Sequence, residues 1–250
     1  MNTSSSSTTE LPQLAKIWQE TIDWCPTESQ QLQLQSLYTA VVAANQQLNL
    51  TRITEPTEFW EKHLWDSIAG VGELIKSPSA LKVIDIGTGA GFPGLPLAIA
   101  RTEWDLTLVD STAKKVGFIS STAPKIGLTN VHPVVSRIED VGQNKQHRHQ
   151  YDLALIRAVA AVNVCAEYAL PLVKIGGTAI LYRGNWTQEE ADGLELAVVK
   201  LGGEVSKIDR FNTPLSNSIR HCIYIHKIAD THPYYPRNVG IPTQKPLGLL

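Results

Sequence analysis

Val83-Ile84-Asp85-Ile86-Gly87-Thr88-Gly89-Ala90-Gly91-Phe92-Pro93 is the stretch that decides the fold of this 250-residue chain. It reads as a buried strand carrying an acid near its end, a glycine-rich turn, and a helix opening at Pro93. Glycine takes positive φ at no steric cost and lets a ligand approach the backbone where a Cβ would otherwise stand. The helix behind such a turn offers free N–H groups and the positive end of its dipole. A turn of this kind binds a nucleotide-like cofactor.

A dinucleotide-binding turn follows G-x-G-x-x-G, whose last glycine allows close helix–strand packing. Counting from Gly87 puts Phe92 at that last position. The glycines run G-x-G-x-G instead, with Asp85 two residues ahead of them. This resembles motif I of the class I S-adenosylmethionine-dependent methyltransferases, whose cofactor has no pyrophosphate to cradle but carries an amino-acid part and a ribose. The next apolar run, Leu106-Thr107-Leu108-Val109, ends in Asp110. A carboxylate at that strand tip can accept hydrogen bonds from both ribose hydroxyls. A glycine turn alone is compatible with a plain strand–turn–helix. Together with the second acid it points to a cofactor site at Asp85, Gly87, Gly89, Gly91 and Asp110.

Working outward, residues 11–76 carry helical periodicity throughout. Leu14, Ile17, Trp18 and Ile22 share a face before Pro26. A second helix begins near Thr27-Glu28, and a third runs from about Pro56 through Phe59, Trp60, His63, Leu64 and Ile68. These form an N-terminal helical cap. Residues 80–228 then alternate, with strands expected at 81–86, 105–109, 130–135, 151–156, 177–182, 204–211 and 220–227. Helices are expected near 93–101, 112–126, 162–173 and 187–201. Apolar strands alternating with helices imply an α/β fold with a mostly parallel, Rossmann-like sheet covered on both faces. The last two of the seven strands have no helix between them and should pair as an antiparallel hairpin. Residues 1–10 read as a disordered start, and residues 229–250, rich in proline with Arg237 and Lys245, as an extended basic arm.

No apolar run is long enough for a bilayer span, and the Ser/Thr-rich start resembles no signal peptide. Cys25, Cys165 and Cys222 are few and far apart, which suits reduced thiols in a cytoplasm and argues against a disulfide frame or a metal site. The net charge of −2 hides a gradient. Residues 1–80 hold nine acids and four bases, whereas residues 205–250 hold six bases and two acids. Either this is a solvated surface, or a polyanion touches the C-terminal part.

The methyl acceptor should be read from the residues after the fourth strand, at the ligand edge of the sheet. Leu155-Ile156-Arg157-Ala158-Val159-Ala160 lacks the D/N-P-P-aromatic motif of exocyclic-amine methylation. Cytosine C5 chemistry needs a thiolate, and Cys165 lies in apolar company within an expected helix. Guanine N7 needs neither, because its lone pair points outward and is unprotonated at neutral pH. Alignment alone can contribute roughly 7–11 kcal/mol. Arg157, ending an apolar strand, is suited to a guanine edge, to the cofactor or a phosphate, or to a structural ion pair.

Asn49-Leu50-Thr51-Arg52-Ile53-Thr54, Lys62-His63-Leu64-Trp65-Asp66-Ser67, Asp85 to Gly94, Val109-Asp110-Ser111 and Arg157-Ala158-Val159-Ala160 occur together in this order. The combination resembles the bacterial 16S rRNA guanine-N7 methyltransferases, the RsmG or glucose-inhibited division protein B family, from about Leu11 to the Tyr235-Pro236-Arg237 and Lys245-Pro246 tail. The resemblance implies S-adenosylmethionine as cofactor and 16S rRNA or the small ribosomal subunit as partner. It also implies cofactor contacts at Gly87, Phe92, Asp110, Ser111, Thr112, Ile138, Glu139 and Arg157. One departure is Arg183 after the fifth strand, where the family often has lysine; the charge is kept and the geometry changed. Arg183, Arg220, Arg237 and Lys245 are the expected RNA-backbone contacts, with Arg157 at the methyl-transfer centre. Two other readings stay open: a small-molecule or protein acceptor, and a non-catalytic RNA-binding assembly factor.

Overall fold

The N-terminal helices form because each places a broad apolar stripe against the same core. A computed structural model describes residues 10–248; all but the last residue of the disordered start expected over residues 1–10 lies outside them. Helix α1 (Ala15–Ile22) buries Trp18. Helix α2 (Glu28–Leu48) buries Leu34, Leu37, Tyr38 and Val41. Thr27 caps α2 by accepting from Gln30 N, while the Gln30 side chain accepts from Thr27 N, so two otherwise orphaned donors are satisfied. From Pro56 onward α3 (Pro56–Phe59) widens into a π-helical segment (Trp60–Trp65) and continues as α4 (Asp66–Ala69). Such a segment adds a residue to the turn and rephases the side chains beyond it. Here it lies immediately ahead of Asp66, a residue the site uses.

The rest alternates strands and helices: β1 (Lys82–Ile86), α5 (Gly94–Ala100), β2 (Asp105–Asp110), α6 (Ala113–Thr122), β3 (Val131–Val135), α7 (Ile138–Gln143), β4 (Tyr151–Arg157), α8 (Val162–Ala169), β5 (Val173–Arg183), α9 (Gln188–Lys200), β6 (Gly203–Asn212), β7 (Ile219–Lys227) and α10 (Ile241–Gln244). The sheet order is β3-β2-β1-β4-β5-β7-β6. Neighbours from β3 to β5 are parallel, and β7 runs antiparallel to both β5 and β6. The seven-stranded sheet with a terminal antiparallel hairpin is therefore as expected. One apolar core joins the sheet to the N-terminal helices; the other lies beneath α8, α9 and Leu247. Cys165 belongs to the second core, and burial pushes its thiol up to about 11.

Several boundaries differ for physical reasons. The helix expected over 112–126 ends at Thr122 and gives way to a 3-10 turn at Pro124–Ile126, since proline cannot donate into a continuing helix. Strand β5 starts at Val173, four residues before 177, because Val173 still pairs with Tyr151 across an irregularity. Helix α7 was not expected: its Gly142 lies against Pro236, whose Cγ would sit 2.6 Å from an added Cβ. The tail also departs from the extended arm expected of it. Arg148 donates to the carbonyls of Thr231 and Tyr235, Gln143 to Pro236 O at 2.6 Å, and Asn163 to Leu247 O at 2.5 Å. Side chains thus supply donors to a segment that lacks a ladder of its own. Lys227, wholly buried, donates to the carbonyls of Leu170 and Leu201, and burial pushes its amine down to about 7.

Candidate active site

The glycine loop is built on Asp85. This buried carboxylate accepts from Thr88 Oγ1 at 2.6 Å and from Gly94 N at 2.8 Å, tying the end of β1 to the start of α5. Burial raises its pKa to about 6, against the opposing pull of those two hydrogen bonds. Gly87 has φ +67°, and a Cβ there would stand 2.5 Å from Val159 Cγ2. The residue type is therefore required by how closely the segment after β4 passes over the loop.

Asp110, at the tip of β2, is held by two backbone donors. Gly89 N reaches Oδ2 at 3.0 Å and Thr112 N reaches Oδ1 at 2.8 Å. A carboxylate has about four acceptor positions, so both oxygens keep capacity for a ligand. Around it lies a hollow of about 360 Å³ whose walls include Gly87, Asp110, Ser111, Thr112, Ile138 and Glu139. It opens at the carboxyl ends of β1 and β2, next to β4. The strand order reverses there, and ligands bind open α/β sheets at such a reversal. Of the other residues singled out in the sequence, Asp85, Gly89, Gly91, Phe92 and Arg157 do not line it. Gly91, at φ +96°, makes room for Leu95. Phe92 stacks on His63 at 4.5 Å.

Glu139 opens α7 and is 2% exposed. Its Oε1 accepts from Gly240 N at 3.0 Å and from the Tyr168 hydroxyl at 3.3 Å, while Oε2 is buried without a hydrogen bond and has Arg137 Nε 3.7 Å away. An unpaired buried carboxylate oxygen is costly. On the wall of a hollow it marks where a ligand donor fits. Two acids with spare acceptor capacity, beside a loop whose glycine admits no Cβ, match a ligand bearing ribose hydroxyls and an amino-substituted base.

A second hollow, of about 380 Å³, adjoins the first, and Ala158 lines both. It sits over the ends of β4 and β5 and the start of β7. Its charged residues are Arg157, Arg183, Arg220, Asp66 and Glu190. Asp66 bridges two arginines: Oδ2 accepts from Arg157 Nη1 at 3.1 Å and Oδ1 from Arg220 Nε at 3.0 Å. Arg157 also donates to Lys62 O at 3.1 Å and lies 5.9 Å from the Phe92 ring centroid. Arg183 donates to Glu190 at 2.5 Å and to Ala160 O at 3.2 Å. Behind this wall His63 bonds Thr51 Oγ1 at 2.8 Å. Burial, followed by the charges of Arg157 and Lys62, pushes its imidazole down to about 3, so it is neutral at any working pH.

The four expected RNA contacts separate. Arg183 and Arg220 stand at the second hollow, and Lys245 is exposed. Arg237 is engaged elsewhere: its guanidinium pairs with the fully buried Glu167, at 2.7 and 2.9 Å. Of the C-terminal bases, Lys207, Arg210 and Lys245 are exposed, and the other three are paired or buried. Lys207 pairs with Asp209, Arg220 with Asp66 and Arg237 with Glu167, and Lys227 is buried. Asp66, Tyr168, Tyr182 and Thr243 also line these hollows and were given no role from sequence. Asp66 stands in the Lys62–Ser67 stretch that carries part of the family resemblance, whereas the other three carry no local signal.

Among the described residues, no helix is long and apolar enough to cross a membrane. No group of three or more His, Cys, Asp and Glu is placed there to hold a metal ion. The sequence family described as GidB, rRNA small subunit methyltransferase G, matches residues 30–222. A ribosomal RNA small subunit methyltransferase G of Trichormus variabilis is 58% identical over 241 residues, spanning 95% of this chain and 98% of the relative. A protein of the same name from Gloeobacter violaceus is 50% identical, spanning 94% and 92%. Among solved structures, a 16S rRNA (adenine(1408)-N(1))-methyltransferase with SAM from Catenulisporales acidiphilia has a TM-score of 0.53. It is 17% identical and spans 64% of this chain and 90% of that one. At that identity the likeness concerns the fold.

Proposed function

This chain belongs to the rRNA small subunit methyltransferase G (GidB) family, and from that membership we propose that it methylates N7 of a guanine in 16S rRNA, using S-adenosylmethionine. The observation that carries the reading is the pair of adjoining hollows at the strand-order reversal. One has acids for a nucleoside, the other has arginines for a polyanion, and Ala158 belongs to both.

In the first hollow Asp110 takes the ribose hydroxyls and Glu139 the adenine amine, over the loop at Gly87. When bound, the cofactor supplies an electrophilic methyl group on sulfur. The chain's own residues then need only to place guanine in line with it. Guanine N7 keeps its lone pair at neutral pH, so no side chain has to remove a proton. A donor placed on N7 would block that lone pair, so Arg157 serves the neighbouring O6, with its position fixed by Asp66 and Lys62 O. Arg183 and Arg220 take backbone phosphates at the rim, and Lys245 adds a more distant contact. Phe92 and Asp85 act through the loop and the wall rather than by touching the ligand.

Mass spectrometry of nucleosides from 16S rRNA, from cells with and without this chain, tests the reading. One N7-methylguanosine should disappear with the chain and return with it. Unchanged rRNA modification would reject the acceptor.

A further inference from the structure

The C-terminal segment is built into the wall of the first hollow. Thr243, in α10, lines it together with Tyr168 of α8. The Tyr168 hydroxyl lies 3.1 Å from Thr243 Oγ1 and 3.3 Å from Glu139 Oε1, and Gly240 N donates to the same carboxylate oxygen at 3.0 Å. Gly240 N and the Tyr168 hydroxyl therefore hold one oxygen of Glu139, with Thr243 behind Tyr168, and leave Oε2 buried without a hydrogen bond, Arg137 Nε standing 3.7 Å away. Burial first, and also the charge of Glu139, raise the Tyr168 pKa, so the phenol remains a donor across neutral pH. The segment is anchored just ahead of these contacts. Arg237 pairs with Glu167 at 2.7 Å, and Arg237 N also donates to that carboxylate at 2.9 Å.

We propose that residues 240–243 and Tyr168 form the base-selective wall of the cofactor site, fixing Glu139 so that Oε2 accepts from an exocyclic amine on the purine. The inference rests on the S-adenosylmethionine reading above and adds a tail segment and two residues to that site. The physical logic is that of a carboxylate with one oxygen committed to the protein. With Oε1 held by Gly240 N and Tyr168, and Arg137 Nε at 3.7 Å too far to donate a hydrogen bond, Oε2 keeps its lone pairs for a ligand donor. A purine amine satisfies it, whereas a purine carbonyl at the same position sets oxygen against oxygen. A site built around a buried acceptor discriminates because a wrong partner leaves it unpaired. The tail thus serves cofactor selection, and its basic anchor Arg237 holds it there.

The test compares S-adenosylhomocysteine with S-inosylhomocysteine, which carries a carbonyl in place of the amine, by calorimetry on the full chain. Thr243→Val and Tyr168→Phe remove single hydroxyls while keeping shape, and Tyr234→Ala, at an exposed tail position, is the control. Both hydroxyl variants should lower the adenosyl-to-inosyl affinity ratio by roughly 2- to 12-fold, the reach of one hydrogen bond; the control should not change it. A general loosening of the fold would weaken both ligands together and leave the ratio alone. An unchanged ratio in both variants, with wild type binding the adenosyl ligand, overturns this inference while sparing the cofactor reading. Failure of the wild type to bind S-adenosylhomocysteine at all overturns the cofactor reading itself.

Discussion

Replacing Asp66 should separate catalysis from RNA binding. Its two oxygens each hold one guanidinium, Arg157 at 3.1 Å and Arg220 at 3.0 Å. A hydrogen bond to a charged group is worth about 1.5–3 kcal/mol. The arginine side chains keep 15% and 22% exposure, and Asp66 keeps 9%, so solvent screening favours the lower end of that range. Asp66→Ala should therefore cost about 2–3 kcal/mol of stability, and Asp66→Asn less, since one acceptor oxygen remains. The larger effect falls on chemistry. Without the carboxylate, Arg157 and Arg220 face the same hollow as like charges and move apart. A displacement of about 1 Å at a positioning group can cost about 100-fold in rate. RNA affinity should hold or rise, because the hollow has lost a negative charge facing a polyanion. Single-turnover methyl transfer, filter binding of RNA and urea unfolding read the three quantities separately. Combining Asp66→Ala with Arg157→Ala should be far from additive in rate. A normal single-turnover rate in folded Asp66→Ala would refute the reasoning and leave Asp66 as a purely structural bridge.

Three further outcomes are set by particular contacts. Asp110→Ala should weaken S-adenosylhomocysteine binding by roughly 1–3 kcal/mol, and calorimetry showing wild-type affinity would remove Asp110 from the site. The Asp85 carboxyl is raised from 3.8 to about 6 by burial, so its contribution to stability is fully present below 3.8 and is lost as pH rises through about 6. Asp85→Asn should accordingly gain up to about 3 kcal/mol near pH 7.5, at 1.36 kcal/mol per pH unit, with the gain vanishing toward pH 4. A urea midpoint shifted equally at all pH values would contradict that assignment. For single-stranded RNA the log–log salt slope should become shallower by about 0.7 for each phosphate contact removed. Arg183→Gln and Arg220→Gln should show this, whereas Arg237→Gln should leave the slope alone and weaken cofactor binding through the tail.

How far the sequence could be read depended on whether the signal was local. The strand–turn–acid pattern at Asp85 and Gly87, the second acid at Asp110, and the absence of a helix between β6 and β7 all lie within short windows. Period and glycine spacing are enough to place them. The capping box at Thr27 and Gln30 is equally local. By contrast, the bridge from Asp66 to Arg157 and Arg220 spans most of the chain, and no periodicity reports it. The stacking of Phe92 on His63 is equally invisible, because the N-terminal helices bring that aromatic partner from outside the motif. The partners of the C-terminal bases are equally non-local. Counting bases along the chain cannot show that Arg237 is spent on Glu167 or that Lys227 is buried. Helix α7 is short and contains a glycine, and its place is set by Pro236 from the tail.

The central claim is that this chain aligns guanine N7 of 16S rRNA beside the cofactor through Arg157. The most direct measurement is reconstituted transfer from methyl-labelled S-adenosylmethionine to small subunits and to 16S rRNA from cells lacking the enzyme, followed by nucleoside mass spectrometry. The wild type should give a single labelled N7-methylguanosine. Arg157→Ala should give none, although that variant still binds S-adenosylhomocysteine and RNA. Label in another nucleoside or in protein, or normal transfer by Arg157→Ala, would contradict it.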